Sequence, residues 1–282
     1  MENTRTKTTR NSLILLLTAA IWGMAFVSQS KGMDYMHPFT FNGVRSLIGA
    51  ASILVYILIS RKIAGDKAAP LDWKLNVKAG LLCGIFLTIA STLQQFGIKY
   101  TSVGKAGFIT TLYIIFVPMF GIFLKKKVAP VVWAAAVMAA VGMYLLCMTE
   151  SLRLGAGDIM VFLCAIAFAI QIMTVDHYAA RIDGAVVSCI QFTVCGVVCC
   201  IGALIWGQPT FGQLQEGLGA LLYAGVLSCG VGYTLQIVGQ KGLNPTVAAL
   251  IMSLESVIAT ISGWIAYKIG FLTTDQTLTA RQ

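Results

Sequence analysis

Residues 92–121 read TLQQFGIKYTSVGKAGFITTLYIIFVPMFG, and residues 234–263 read TLQIVGQKGLNPTVAALIMSLESVIATISG. At a constant offset of 142 positions, nine residues of the two segments are identical. The identical pairs are Thr92/Thr234, Leu93/Leu235, Gln94/Gln236, Gly97/Gly239, Lys99/Lys241, Ala106/Ala248, Ile109/Ile251, Leu112/Leu254 and Gly121/Gly263. The chain is therefore a duplicated half. In a very hydrophobic chain, two related halves are typical of transporters built from repeats around a central site.

The composition indicates that the solvent of this chain is a lipid bilayer. Of its 282 residues, 57% are hydrophobic and 11% are charged, too few charges to solvate the surface of a globule of this size. Nine apolar runs are long enough, at roughly 20 residues each, to cross the hydrocarbon core. They are residues 12–31, 39–60, 77–97, 104–124, 128–148, 157–177, 185–206, 217–238 and 245–267. The sequence predicts an all-α polytopic membrane protein with nine transmembrane helices.

The positions of Lys and Arg between these runs predict the orientation. With a cytoplasmic N-terminus, thirteen of them fall in cytoplasmic segments and five in outer segments, as the positive-inside rule expects. We therefore expect a multi-pass protein of the inner or plasma membrane with its N-terminus in the cytoplasm. The net charge of +9 is explained by loops that face an anionic leaflet of membrane lipid, so no nucleic-acid partner is expected.

The orientation also shows that the repeat is inverted. The third and fourth helices run outward and then inward, whereas their copies run inward and then outward. An odd number of helices per half produces this inversion, so we expect two inverted five-helix repeats, residues 1–148 and 149–282. A weaker match at an offset of 146 pairs Trp22 with Phe168, Asn42 with Ser188, and Arg45 with Gln191.

The second repeat is predicted to be incomplete. It contains helices six to nine, and its tail, residues 268–282, is too short and polar to span a membrane. Two explanations stay open: a chain that stops before its tenth helix, which the mismatch with the first half favours, or a protein with nine helices and a tail outside the membrane.

Several motifs resemble those of EamA-type transporters of the drug/metabolite transporter superfamily. They are Trp22-Gly23, Arg45, residues 104–110 with Tyr113 and Pro118, Asn244-Pro245, and residues 253–256. The resemblance covers nearly the whole chain and implies ten helices in two inverted halves, of which this chain lacks the last. It further implies secondary transport, in the export direction, of a small metabolite, amino acid or drug-like solute. The alternative is a non-transporting scaffold or partner subunit of the membrane.

Enzymatic activity is not expected, and neither is a cofactor or a metal site. The predicted spans offer essentially one acidic residue, and the chain has no Walker loop, GxSxG or HExxH motif. The eight cysteines fall in or beside apolar runs without a CxxC pair or a His partner, which favours a role as small buried side chains. The sequence does not predict the oligomeric state.

Glu255 is the acidic residue in question, near the middle of the ninth helix, and the offset of 142 pairs it with Tyr113. A carboxylate at the bilayer midplane costs about 3 kcal/mol, so it tends to face a cavity or a partner. We therefore predict that Glu255 and Tyr113 contact substrate, with proton coupling as a further role for the carboxyl group. A protonated Glu255 hydrogen-bonded between helices is the structural alternative.

Arg45 and Lys105 are predicted to lie one or two turns inside the outer ends of their helices. Arg45 is a candidate for binding anionic substrate groups, because guanidinium grips carboxylates in a bidentate manner. Lys105 is a candidate gate or interhelical residue. For both, snorkelling to the interface is the simpler alternative.

Four further side chains are polar or aromatic groups within the spans. Trp22 and Gln191 are candidates for substrate contact, and Gln94 and Gln236 are candidates for gate or interhelical hydrogen bonds. Ordinary helix packing is the alternative for all four.

Overall fold

The computed structural model describes residues 4–65, 70–123, 130–147, 155–273 and 276. In these ranges the chain is helical and contains no strand. The main helices are α1 (Thr4–Gly32), α2 (Pro38–Ala64), α3 (Trp73–Ile98), α4 (Val103–Phe123), α5 (Pro130–Cys147), α6 (Ala156–Tyr178), α7 (Gly184–Gly207), α8 (Leu218–Gln240) and α9 (Pro245–Lys268). A short helix, Phe211–Glu216, precedes α8.

Eight of these helices are long and apolar enough to cross a membrane: α1 to α4 and α6 to α9. The remaining helix, α5, has 18 residues, about 27 Å at 1.5 Å per residue. Large apolar side chains such as Leu54, Leu58, Ile85 and Ile201 are exposed on the outside of the bundle, where a bilayer would solvate them. The predicted all-α membrane architecture is confirmed. The predicted tail beyond residue 276 lies outside the described residues.

Equivalent residues of the two halves cap the starts of α4 and α9. Oγ of Ser102 accepts from the backbone N–H of Lys105 at 3.3 Å, and Oδ1 of Asn244 accepts from Thr246 N–H at 2.9 Å. Pro245 occupies the first turn of α9, where its missing N–H costs nothing. Ser102 and Asn244 are 142 positions apart, so the duplication extends to the helix boundary.

Both α4 and α9 are broken near their middle, at equivalent positions. The α-helical pattern stops for two residues at Thr111–Leu112 and at Ser253–Leu254. At each break a hydroxyl donates to the carbonyl three residues earlier: Thr111 to Phe108 and Ser253 to Leu250, both at 2.8 Å. Such bonds compete with the helix ladder and bend it. The uninterrupted apolar runs predict continuous helices here, and the structure differs from that prediction at both breaks.

Helices of one half pack against helices of the other half. The α2 helix lies along α7, α3 lies against α6, and α1 lies against both α8 and α9. The α1–α9 contact depends on Gly23, since a Cβ atom there would lie 2.6 Å from Cβ of Ile258 and 2.8 Å from the carbonyl oxygen of Glu255. Small residues permit such close approach of helix backbones in membranes. These contacts enclose a space at the centre of the bundle.

Candidate functional site

The central space is a cavity of about 40 Å³. Eight helices, α1 to α4 and α6 to α9, contribute to its lining. Of the predicted site residues, Trp22, Arg45, Gln94, Tyr113, Gln236 and Glu255 line it. The structure thus brings together residues from both halves that are up to 233 positions apart in sequence.

Most of the lining consists of residues related by the two sequence offsets. Eight pairs account for sixteen of the twenty-one lining residues. At an offset of 146 the pairs are Trp22/Phe168, Ala25/Gln171, Phe26/Ile172 and Ser46/Phe192, and at 142 they are Leu87/Cys229, Ser91/Tyr233, Gln94/Gln236 and Tyr113/Glu255. The cavity therefore lies where equivalent surfaces of the two halves face each other.

Tyr113 and Glu255 are in direct contact at the cavity. The Tyr113 hydroxyl donates to Oε1 of Glu255 at 3.0 Å, and both residues are buried, with 2% and 3% of their surface exposed. Each is the first residue of the α-helical segment that follows a break. The breaks therefore bring the two side chains together between α4 and α9.

Arg45 is a buried cation that no carboxylate neutralises in the described part of the chain. Its Nε donates to Oδ1 of Asn42 at 3.0 Å, and the residue is 5% exposed. Asn42 is held by Ser91 Oγ at 3.1 Å and by the thiol of Cys199 at 3.2 Å. Glu255 lines the same cavity without a salt bridge to Arg45. An unpaired buried cation is costly, so this guanidinium group is suited to an anionic ligand.

Aromatic rings cover one side of the cavity. The rings of Trp22 and Tyr233 lie 4.6 Å apart, and those of Tyr233 and Phe192 lie 4.9 Å apart in a T-shaped arrangement. Trp22 Nε1 also donates to the carbonyl of Ser228 at 3.4 Å. The sequence pattern predicts Trp22 as a site residue but does not predict Phe192 or Tyr233. Their offset partners, Ser46 and Ser91, are small and polar and gave no signal.

Three glutamines form a hydrogen-bonded chain across α6, α7 and α8, which we call the glutamine layer: Gln171, Gln191 and Gln236. Gln236 Nε2 donates to Gln171 Oε1 at 3.4 Å, and Gln171 Nε2 donates to Gln191 Oε1 at 3.5 Å. Gln191, a predicted substrate contact, is not among the cavity-lining residues but lies behind Gln171, which is. The equivalent Gln94 instead donates to Thr110 Oγ1 at 3.2 Å.

Lys105 lies away from the cavity and joins α4 to α6. Its Nζ pairs with Oδ2 of Asp158 at 2.5 Å, and Asp158 is 4% exposed. Asp158 also accepts from Thr101 Oγ1 at 2.8 Å and from Gly155 N–H at 2.9 Å. Asp158 is not among the predicted site residues, although an acidic residue in the first turn of a helix favours such a capping role.

No cluster of three His, Cys, Asp or Glu side chains that could hold a metal ion occurs among the described residues. Cys195 and Cys199 are buried against Ser46, Ser91 and Thr92 at sulfur–oxygen distances of 3.4–3.5 Å. These thiols therefore act in helix packing between α2, α3 and α7.

Most of the chain matches the model of the EamA-like transporter family, over residues 10–148 and 155–275. An "Uncharacterized transporter" of Archaeoglobus fulgidus is 30% identical over 171 residues, 58% of this chain and 48% of that protein. The chain thus spans about half the length of this relative. "Uncharacterized transporter YwfM" of Bacillus subtilis is 27% identical, with 89% of this chain and 84% of the relative covered.

One solved structure, titled "Crystal structure of protein", has a TM-score of 0.70 over 95% of this chain and 90% of its own, at 17% identity. It shows the same fold. Membrane-spanning helices, a central cavity and the family match together define a multi-pass membrane transporter. The chain belongs to the EamA-like transporter family.

Proposed function

We propose that this protein is a secondary transporter that moves a small solute by alternating access between two inverted five-helix repeats, residues 1–148 and 149–282. The observation that carries the proposal is the cavity lined by eight offset-related pairs. Repeat transporters place their substrate between the repeats near the midplane, often beside broken helices. The breaks in α4 and α9, next to Tyr113 and Glu255, support that assignment.

Arg45 suggests the chemistry of the solute. Among the described residues, the buried Arg45 guanidinium donates hydrogen bonds only from Nε. Its remaining N–H groups can be offered to a carboxylate or phosphate. The rings of Trp22, Tyr233 and Phe192 offer apolar contact area beside it. A small amphipathic solute with an anionic group, such as an amino acid or another carboxylate metabolite, fits this combination.

Glu255 is our candidate for proton coupling. Its carboxyl group lies in the same cavity as Arg45 but is hydrogen-bonded to a neutral phenol. Loss and gain of a proton there would change the net charge of a closed site, and low dielectric makes that change large in energy. A proton gradient could therefore drive the cycle through this residue.

The glutamine layer and Lys105 are proposed to act at opposite ends of the pathway. Gln171, Gln191 and Gln236 lie between the cavity and the end of the bundle where α6 and α8 terminate. The Lys105–Asp158 pair lies at the other end, where α4 and α6 begin. Ligand pockets usually have volumes of about 300–1,000 Å³. A cavity of about 40 Å³ must therefore widen to admit a solute, which requires the helices to separate at one end of the bundle.

We further propose a cell-membrane location with the N-terminus in the cytoplasm, because of the distribution of Lys and Arg. We propose export as the direction, because of the family resemblance.

The transport proposal is tested by reconstituting the full chain in proteoliposomes. Counterflow of radiolabelled carboxylates, amino acids and amines would be measured with and without a proton gradient. We expect saturable flux of at least one anionic or zwitterionic solute, with a KM that is raised by Arg45→Gln and unchanged by Lys99→Gln at the exposed end of α3. Absence of facilitated flux for every solute would favour a scaffold or partner subunit.

A further inference from the structure

A second, larger depression opens at the end of the bundle where α1 begins and α2 ends. We call it the basic groove; its volume is about 610 Å³, and its lining comes from the end of α2, the start of α3, residues 180–185 and the end of α8. Asn11 of α1 donates to the carbonyl of Lys241 at 2.8 Å, which anchors the end of α8 beside the start of α1. The groove is separate from the central cavity and shares no lining residue with it.

Three cations line the basic groove: Arg61, Arg181 and Lys241. In the described ranges none of their side chains makes a salt bridge or hydrogen bond. The carboxylates of the two acidic lining residues accept hydrogen bonds from backbone N–H groups and do not pair with the cations. Asp72 accepts from Leu75 N–H, and Asp183 accepts from the N–H groups of residues 185 and 186. Within the described ranges, the groove therefore presents three cationic groups without a partner beside two carboxylates that cap helices.

Two of these charges are not consequences of the duplication. The positions related to Arg61 and Arg181 by the offset of 146 are Gly207 and Tyr35, which carry no charge. Only Lys241 has a charged counterpart, Lys99. The concentration of cations is thus specific to this end of the molecule.

The groove is continuous with the lipid-facing surface. Tyr56 and Val238 belong to its lining and are 59% and 41% exposed. On the N-terminal side of Tyr56, the exposed side chains of Leu54 and Val55 continue the apolar surface of α2. A ligand that binds here meets cations at the membrane–water boundary and apolar side chains towards the hydrocarbon.

We propose that the basic groove binds the phosphate headgroup of an anionic phospholipid, with Arg61, Arg181 and Lys241 as its contacts and an acyl chain along Tyr56 and Val238. Arginine pairs with phosphate in a bidentate manner. Basic pockets between transmembrane helices at the cytoplasmic side suit anionic headgroups. This is also the end of the bundle where the Lys and Arg residues of the chain are concentrated.

Native mass spectrometry of the full chain in detergent tests this proposal. Phosphatidylglycerol and phosphatidylcholine would be titrated against the wild type and against the triple variant Arg61→Gln/Arg181→Gln/Lys241→Gln. We expect phosphatidylglycerol affinity to fall about fivefold per cation removed, and the weak binding of phosphatidylcholine to stay the same. The matched control is Lys74→Gln/Lys78→Gln, which removes two exposed charges of α3 outside the groove, and it should retain wild-type affinity.

Three results would overturn the proposal. The triple variant could bind phosphatidylglycerol as the wild type does, the α3 control could lose as much affinity, or 10 mM inorganic phosphate could displace the lipid, which would make the groove a site for free phosphate. If the triple variant is not monodisperse, the single variants decide: each must weaken binding, and Arg61→Lys/Arg181→Lys must retain most of it.

Discussion

The Tyr113 hydroxyl and the Glu255 carboxyl group form a 3.0 Å hydrogen bond between residues 142 positions apart, the offset that relates the two halves. Each residue directly follows a break in its helix, and each break carries the same hydroxyl-to-carbonyl bond, from Thr111 and from Ser253. The contact thus joins equivalent points of the two halves. It places the ionisable side chain of Glu255 in the same cavity as the Arg45 guanidinium, within a lining made mostly of offset-related residues.

Substitution Glu255→Gln is expected to remove the effect of a proton gradient on transport. Glutamine keeps the shape of a protonated glutamate and can still accept from Tyr113, so folding and counterflow without a gradient should persist. Flux would be measured in proteoliposomes at several imposed pH differences. Glu216→Gln, on the exposed short helix, is the control and should behave as the wild type. If transport by the Glu255→Gln protein still responds to the gradient, Glu255 is not the coupling residue and has a structural role.

Replacing Arg45 should weaken binding of the transported anion more than it weakens the fold. Charge-assisted hydrogen bonds contribute about 1.5–3 kcal/mol, so Arg45→Gln should raise KM roughly tenfold or more. Arg45→Lys should be intermediate, because lysine keeps the charge but loses the fork of N–H donors. Initial rates against solute concentration provide the measurement. Equal KM values for Arg45→Gln and the wild type would exclude Arg45 from the binding site.

Gly23→Ala should destabilise the protein, because the new methyl group would overlap Ile258 and the Glu255 carbonyl oxygen. Overpacking of this kind costs about 1–3 kcal/mol. Thermal unfolding in detergent should show a lower Tm than the wild type. Gly212→Ala, where no atom lies within 4 Å of the added Cβ, should leave the Tm nearly unchanged. An unaltered Tm for Gly23→Ala would mean that α1 and α9 are less closely packed than described.

Gln171→Ala removes both hydrogen bonds of the glutamine layer and should make the cavity easier to reach from that end. Cys229 lines the cavity and is 2% exposed, so it can serve as the reporter in a chain whose other cysteines are replaced. We expect faster maleimide labelling of Cys229 in inside-out vesicles. Gln95→Ala, which removes a buried side-chain hydrogen bond to the Gln29 carbonyl outside the glutamine layer, is the matched control. Equal labelling rates in all three proteins would contradict a gating role for the layer.

Cysteine substitutions at the two ends of α3 test the orientation. Lys74 and Lys99 are both exposed and lie at opposite ends of the helix. With a cytoplasmic N-terminus, a membrane-impermeant maleimide added to whole cells should label Lys99→Cys and leave Lys74→Cys unlabelled. The wild type gives the background from native cysteines. Labelling of Lys74→Cys and not of Lys99→Cys would show the opposite orientation, with the N-terminus outside the cell.

The strong sequence signals came from long-range periodicity and composition. Apolar length predicted the helices, because a membrane span needs a minimum run of apolar residues. The offset of 142 pairs Tyr113 with Glu255 in the sequence, and the structure shows that these two side chains are in contact. The weaker offset of 146 gains weight because four pairs at that spacing, among them Trp22/Phe168, line the cavity together.

The sequence could not say which face of each helix points inward. Gln191 is the offset partner of Arg45, yet Arg45 lines the cavity and Gln191 lies behind Gln171. Phe192, one residue later, lines it instead. Neighbouring residues on a helix point about 100° apart, so the rotation of α7 about its own axis decides which of the two lines the cavity. That rotation is set by packing against α2 and α3.

By itself, the sequence determined that this is an all-helical membrane protein with a duplicated half, because both conclusions depend only on apolar length, charge distribution and self-similarity. The tertiary structure alone decided that α4 and α9 break at Thr111 and Ser253, that Lys105 pairs with Asp158, and that Arg45 has no carboxylate partner among the described residues. The surroundings of Lys105 and Arg45 depend on side chains from distant parts of the chain meeting at one depth, and only the packing of helices from both halves sets that depth.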